Sequence, residues 1–198
     1  TFVYLKRQAD VEVAAQVKQL GLKGVYFIAD TRREYPCGRI GGQVIGFCNV
    51  DGEGITGLEL QYDDVLSGTP GTYSAERGQN GIPIPGGVHE ETPAVDGQDI
   101  MISIDIQLQE YVEERLEQGA KDISAEGGTA VVMDGGTGEI YAAATLPYLN
   151  PADMSTVEEG ADQLKAVTQA YEPGSVFKTV STMALLETDS MKPDDTLF

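Results

Sequence analysis

Residues 99–145 carry three periodic patterns in an unbroken row, and their order narrows the fold more than anything else in the chain. The run IMISI within residues 99–105 is apolar and rich in β-branched side chains, which reads as a strand. Leu108, Tyr111, Val112, Arg115, Leu116, Ala120 and Ile123 then follow a helical period. Asp105 stands immediately ahead of that period and is placed to cap the free N–H groups of a helix start. TAVVMD at 129–134 and EIYAAAT at 139–145 flank Gly135-Gly136-Thr137-Gly138, the signal of a β-hairpin with a glycine turn. The turn lacks the spacing and the Gly-Lys-Ser/Thr ending of a phosphate-cradling loop. Strand, amphipathic helix and hairpin in this order imply an α+β layout, with helices packed on an antiparallel sheet.

The preceding part is less regular. Residues 1–7 and 25–29 read as strands, and Asp10 begins a helix with Val13, Val17 and Leu20 on one face, closed by Gly21. Residues 31–57 are charged and Gly-rich, and 58–66 read as a short helix stopped by Ser67-Gly68. Residues 68–93 hold many glycines and prolines and few periodic apolar side chains, so they read as extended strands and loops and mark a domain boundary. The expected organisation is a mostly extended domain over 1–95 and an α+β domain over 96–198.

Charge removes several function classes. With 32 acidic and 13 basic side chains the net charge is −19, the wrong sign for a surface that meets nucleic-acid phosphates or anionic lipid. The acid is dispersed, as on a solvated surface. No apolar run approaches 18 residues and no signal peptide is visible. The first residue is Thr1, which suggests trimming from a longer precursor. Cys37, Cys48 and His89 are too few for a zinc site, so no metal or other cofactor is expected, and His89 reads as a surface loop residue. A Cys37–Cys48 disulfide is feasible, but spacing does not fix its geometry.

Chemistry concentrates at YEPGSVFK, residues 171–178. A bare S-x-x-K arises about once by chance in a chain of this size. Here Pro173-Gly174 breaks what precedes, and Val176, Phe177, Val180, Met183 and Ala184 follow in a helical pattern. Ser175 and Lys178 then share one face of a first turn. A hydroxyl, an amine able to take its proton and a helix start that favours developing negative charge together make an activated serine nucleophile. Asp105 and Glu110 are a possible carboxylate pair, but a helix cap and a solvated side chain account for them. Arg33 reads as a salt-bridge anchor and Glu172 as a loop anchor.

Five segments in order resemble the class B penicillin-binding proteins, bacterial cell-wall transpeptidases with a non-catalytic N-terminal pedestal. Arg33-Glu34-Tyr35-Pro36 resembles the family's R-x-Y-P segment. Gly46 with GITGLE at 54–59 resembles its G…G-x-x-G-L-E segment. DGQDIMISIDIQLQ at 96–109 resembles the start of the transpeptidase domain, AVVMDGGTGEIYAAATLP at 130–147 its first hairpin, and AYEPGSVFK at 170–178 its nucleophile motif.

The resemblance implies that Ser175 is acylated and Lys178 accepts its proton. The implied substrate is the D-Ala-D-Ala end of a peptidoglycan stem peptide, with β-lactams trapping the same serine. Cell-wall synthesis proteins are the implied partners, and the extracytoplasmic face of the membrane, with an anchor outside this chain, is the implied location. The sequence departs from the family in holding no S-x-N and no K-T/S-G, and in carrying Gly41-Gly42 where alanines are usual, which puts a local helix there in doubt. It therefore reads as an internal piece, pedestal plus an incomplete penicillin-binding/serine β-lactamase-like domain, inactive as it stands or acting as an interaction module. An unfinished sheet also invites self-association. A β-lactamase or β-lactam sensor is disfavoured, because neither carries an R-x-Y-P pedestal.

Overall fold

The interior is built around one alanine-rich strand. In a computed structural model, which describes residues 2–76, 89–190 and 192–194, Ala142, Ala143, Ala144 and Thr145 are all buried, as are Leu149 and Ala161. The chain divides into two compact units, Thr1–Val167 and Thr168–Phe198.

In the first unit, α1 (Val11–Gln19) is followed by three short helices, α2 (Gly42–Ile45), α3 (Gly57–Gln61) and α4 (Asp63–Leu66). Strands β1 (Thr72–Ala75) and β2 (His89–Thr92) pair antiparallel, with Thr72 opposite Thr92 and Ala75 opposite His89. His89 thus opens a strand, where a loop was expected; the glycines and prolines of 77–88 lie outside the described residues. Helix α5 (Ile106–Asp122) then packs on the antiparallel hairpin of β3 (Gly128–Met133) and β4 (Ile140–Leu146), and α6 (Lys165–Thr168) follows. Both sheets have two strands among the described residues, and the mixed helix-and-strand architecture is the expected α+β class.

Local sequence explains the strongest elements. The Asp105 carboxylate accepts from the N–H groups of Gln107 and Leu108 at 2.9 and 3.0 Å, so α5 starts where its cap dictates. Asp134 organises the hairpin turn by accepting from the N–H groups of Gly136 and Thr137, both at 2.7 Å.

Where expectation failed, a partner strand was missing. Of the expected strands at 1–7 and 25–29, the described residues 2–7 and 25–29 form none, and Phe2, Val3, Tyr4, Leu5, Tyr26, Phe27 and Ile28 all stay exposed. β-propensity expresses packing against a neighbour, and neither segment has one here. Arg7 and Gln8 tie them to the rest instead: Arg7 pairs with Asp51 and Asp30, and the Gln8 amide donates to the carbonyls of Thr31 and Val50. Residues 99–105 also run without a ladder among the described residues; Asp105 N–H bonds to Tyr141 O at 3.0 Å and the Ser103 hydroxyl to Ile140 O at 2.7 Å. The helix expected at 58–66 breaks into α3 and α4 at Tyr62, whose backbone (φ −118°, ψ 24°) leaves the helical region.

The second glycine of the Gly41-Gly42 pair has a steric reason. Helix α2 exists despite it, and a Cβ on Gly42 would fall 2.2 Å from the Leu149 carbonyl oxygen. Gly46 is as constrained, at φ +82° with the Thr56 carbonyl 1.9 Å from where a Cβ would stand, which lets the backbones of α2 and α3 meet.

Candidate functional site

The motif at 171–178 lies in the second unit. Gly174 takes φ +57°, a turn that suits glycine, and Gly174–Phe177 form a single 3-10 turn that runs directly into α7 (Lys178–Glu187). The Lys178 N–H donates to the Ser175 carbonyl, an i to i+3 bond. Side chains at i and i+3 eclipse in a 3-10 turn, so Ser175 and Lys178 project from the same side. The expected helix start is present, with the tighter turn carrying Ser175 and Lys178 beginning the α-helix proper. Both residues are exposed. Glu172 is exposed and has no side-chain partner among the described residues, so it does not anchor the loop as expected. Val176, Phe177, Val180, Met183, Leu185 and Leu186 are also exposed.

A second cluster, in the first unit, was only partly visible in sequence. Gln43 and Gln109 are buried, and their amides close the outer edge of β4. Gln109 donates to Ala143 O and accepts from Ala143 N–H, both at 2.8 Å. Gln43 donates to Thr145 O at 2.9 Å and accepts from Thr145 N–H at 3.2 Å, while its amide nitrogen also lies 2.7 Å from Pro147 O and 3.1 Å from Ala161 O. Each glutamine exchanges a pair of hydrogen bonds with alternate residues of one edge, as a neighbouring strand would.

Glu113, one turn after Gln109, is also buried. Its Oε1 accepts from Gly41 N–H at 2.8 Å and from the Gln109 amide at 2.9 Å. Burial pushes its carboxyl above the ordinary glutamate value, against the lowering effect of those two hydrogen bonds and of Arg39. Arg39 lies over the Tyr148 ring at 4.7 Å and pairs with Glu117 at 3.3 Å. The Tyr148 hydroxyl donates to the Glu113 carbonyl. Gln109 falls in a segment that the family resemblance had marked; Gln43 and Glu113 escaped, because polar residues in short or amphipathic helices ordinarily signal a solvated face.

The third cluster joins the R-E-Y-P and G-L-E segments. Arg33 Nε donates to the buried Glu59 carboxylate at 2.6 Å, the anchoring role expected of it. The Cys48 thiol donates to the same carboxylate at 3.3 Å, and the Tyr35 hydroxyl accepts from Cys48 N–H at 3.0 Å. Burial first, and then Glu59, push the Cys48 thiol up to about 11. Cys37 and Cys48 are both free, so the feasible disulfide is not formed. Asp105 is the helix cap already described and Glu110 is exposed, so the two do not act as a carboxylate pair. Among the described residues no group of side chains is arranged to hold a metal ion, and no helix is long and apolar enough to cross a membrane.

Residues 1–102 match the family described as the penicillin-binding protein dimerisation domain, and residues 128–198 match the penicillin-binding protein transpeptidase domain. The chain belongs to the class B penicillin-binding proteins. It is 34% identical over 199 residues to the peptidoglycan D,D-transpeptidase FtsI of Escherichia coli K12, an alignment that takes in 99% of this chain and 33% of that protein. Among solved structures it is similar to a peptidoglycan synthetase from Bifidobacterium adolescentis, at 29% identity and a TM-score of 0.73 over 98% of this chain and 35% of that one. It is also similar to penicillin-binding protein 3 of Mycobacterium tuberculosis complexed with ampicillin, at 32% identity and a TM-score of 0.65 over 84% of this chain and 33% of that one. The chain therefore spans about a third of the length of these relatives.

Proposed function

We propose that this chain is part of a peptidoglycan D,D-transpeptidase, with residues 1–95 as pedestal, 96–198 as the opening of the catalytic domain, Ser175 as nucleophile and Lys178 as its base. The observation that supports the reading is the 3-10 turn at a helix start in which Lys178 N–H bonds to the Ser175 carbonyl, inside the stretch that matches the transpeptidase domain. Ser175 Oγ attacks the carbonyl of the penultimate D-alanine while its proton passes to the amine of Lys178. The Ser175 N–H faces the developing oxyanion. Collapse of the tetrahedral intermediate breaks the peptide bond, and the leaving D-alanine amine takes the proton back from Lys178. The amine of a neighbouring strand then attacks the Ser175 ester, freeing the hydroxyl and forming the crosslink. A β-lactam acylates Ser175 in the same way and stays bound; the Mycobacterium tuberculosis relative complexed with ampicillin supports this extension. The reaction belongs on the extracytoplasmic face of the membrane.

For the 198 residues alone a second reading is favoured by a specific observation: Ser175 and Lys178 are exposed and S-x-N and K-T-G are absent from the sequence. On that reading the chain contributes the pedestal, contacts cell-wall synthesis partners, and does not turn over substrate.

Fluorescent penicillin with intact-mass readout separates the two. A longer form of the parent that supplies S-x-N and K-T-G is expected to gain one label, lost in Ser175→Ala, while the 198-residue chain stays unlabelled. A folded longer form that takes no label removes Ser175 from the nucleophile role.

A further inference from the structure

Glu113 is a buried ionisable group for which the transpeptidase reading has no use. It is 3% exposed, and it links residues that lie far apart in sequence: Gly41 ahead of α2, Gln109 on its own helix and, through Gln109, Ala143 of β4. Its Oε2 is buried with no hydrogen-bond partner among the described residues. We propose that Glu113 is a proton-operated latch that seats residues 39–45 on α5 and β4, firmer when its carboxyl is neutral and looser when it is ionised.

Two effects oppose each other at this carboxyl. Ionisation strengthens the bonds from Gly41 N–H and from the Gln109 amide to Oε1, since charge-assisted hydrogen bonds are the stronger ones. Ionisation also leaves charge on Oε2, which is buried without a donor among the described residues, and a buried charge without full pairing costs more than a buried neutral group. Protonation keeps Oε1 as an acceptor for both donors and removes the charge. Burial is the larger effect, because the carboxyl sits above its ordinary value despite both donors and Arg39.

The groups facing Glu113 do not reverse this. From its own helix Glu110 raises the carboxyl further, and Glu117 is engaged by Arg39 and Lys121. From the 39–45 segment comes Arg39, shared with Glu117 and the Tyr148 ring. Tyr148, beyond β4, presents its hydroxyl to the Glu113 backbone. Helix α2 and the β4 positions Ala143 and Thr145 bring no ionisable side chain. A carboxyl raised on folding binds more protons in the folded chain, so its stabilisation is complete below the unfolded value and fades as pH climbs through the folded one.

The test is an amide NMR titration of the 198-residue chain, of Glu113→Gln and of Glu110→Gln. The Gly41 amide and the Gln109 side-chain amide are expected to shift together, with one midpoint above the ordinary glutamate value of about 4.3. That transition is expected to vanish in Glu113→Gln and to persist in Glu110→Gln. Glutamine keeps the Oε1 acceptor without the charge, so Glu113→Gln is expected to melt roughly 2–4 °C above the parent at neutral pH, with the gap closing in acid. A Gly41 amide that does not titrate, one that titrates in the ordinary range, or a melting gap that stays constant with pH overturns the proposal. If Glu113→Gln does not fold, the titrations of the parent and of Glu110→Gln decide alone: a shared, raised midpoint upholds the latch and its absence removes it.

Discussion

Single atoms decide much at the residue scale in this chain. Gly42 is one example: any side chain there meets the Leu149 carbonyl and the Pro151 ring, at 2.2 and 2.9 Å from the Cβ position, and neither neighbour is a flexible side-chain end. Gly42→Ala is therefore expected to destabilise the chain by about 1–3 kcal/mol or more, the cost of overpacking a filled site, read by chemical denaturation. An unchanged midpoint would mean that α2 shifts freely against residues 149–151. Sequence alone gave no warning of this contact, because it brings together backbone atoms about a hundred residues apart. The same holds for Gln43, whose amide is fully used by carbonyls and an N–H of β4 and the segments after it. By contrast Arg33 and Asp105 were legible, since an arginine beside an aromatic-proline segment and an aspartate before a helical period carry local chemistry.

Elements were readable in proportion to how local their determinants are. Helix α5 and the β3–β4 hairpin emerge where period, cap and turn residues agree. The most buried positions of α5 include Gln109 and Glu113, which a purely apolar pattern would place at the surface. The 171–178 motif could be picked out by spacing and by resemblance, while the 3-10 form of its turn could not. The absence of strands among the described residues 2–7 and 25–29 shows the limit of propensity without a pairing partner. The hairpin itself is asymmetric. Ala143 and Thr145 give their outward N–H and C=O groups to glutamines, so the residues opposite them, Val131 and Thr129, also point theirs outward. Among the described residues nothing bonds those groups, and Val131 is 47% exposed. An edge of this kind invites another strand. The 198-residue chain is expected to self-associate with rising concentration in sedimentation velocity, and Val131→Lys to restore the monomer. Equal behaviour of the two proteins would show that the edge is not the contact.

At the scale of the molecule, the two units differ in how much they bury. Strand β4 has four consecutive buried residues, whereas every described residue of α7 is exposed. Amides of α7 are expected to exchange with deuterium well before those of residues 142–145, because local opening is easiest where few side chains are buried. Equal protection in both would mean that the second unit opens only with the whole chain. A last consequence concerns time. Gln43 waits for Thr145 and Ala161, which lie 102 and 118 positions later. A ribosome adding about 5–20 residues per second needs on the order of ten seconds to reach them. Throughout that interval the newborn stretch around Gln43 carries a buried-type amide with nothing to grip, and its final posture is settled well after its own residues are made.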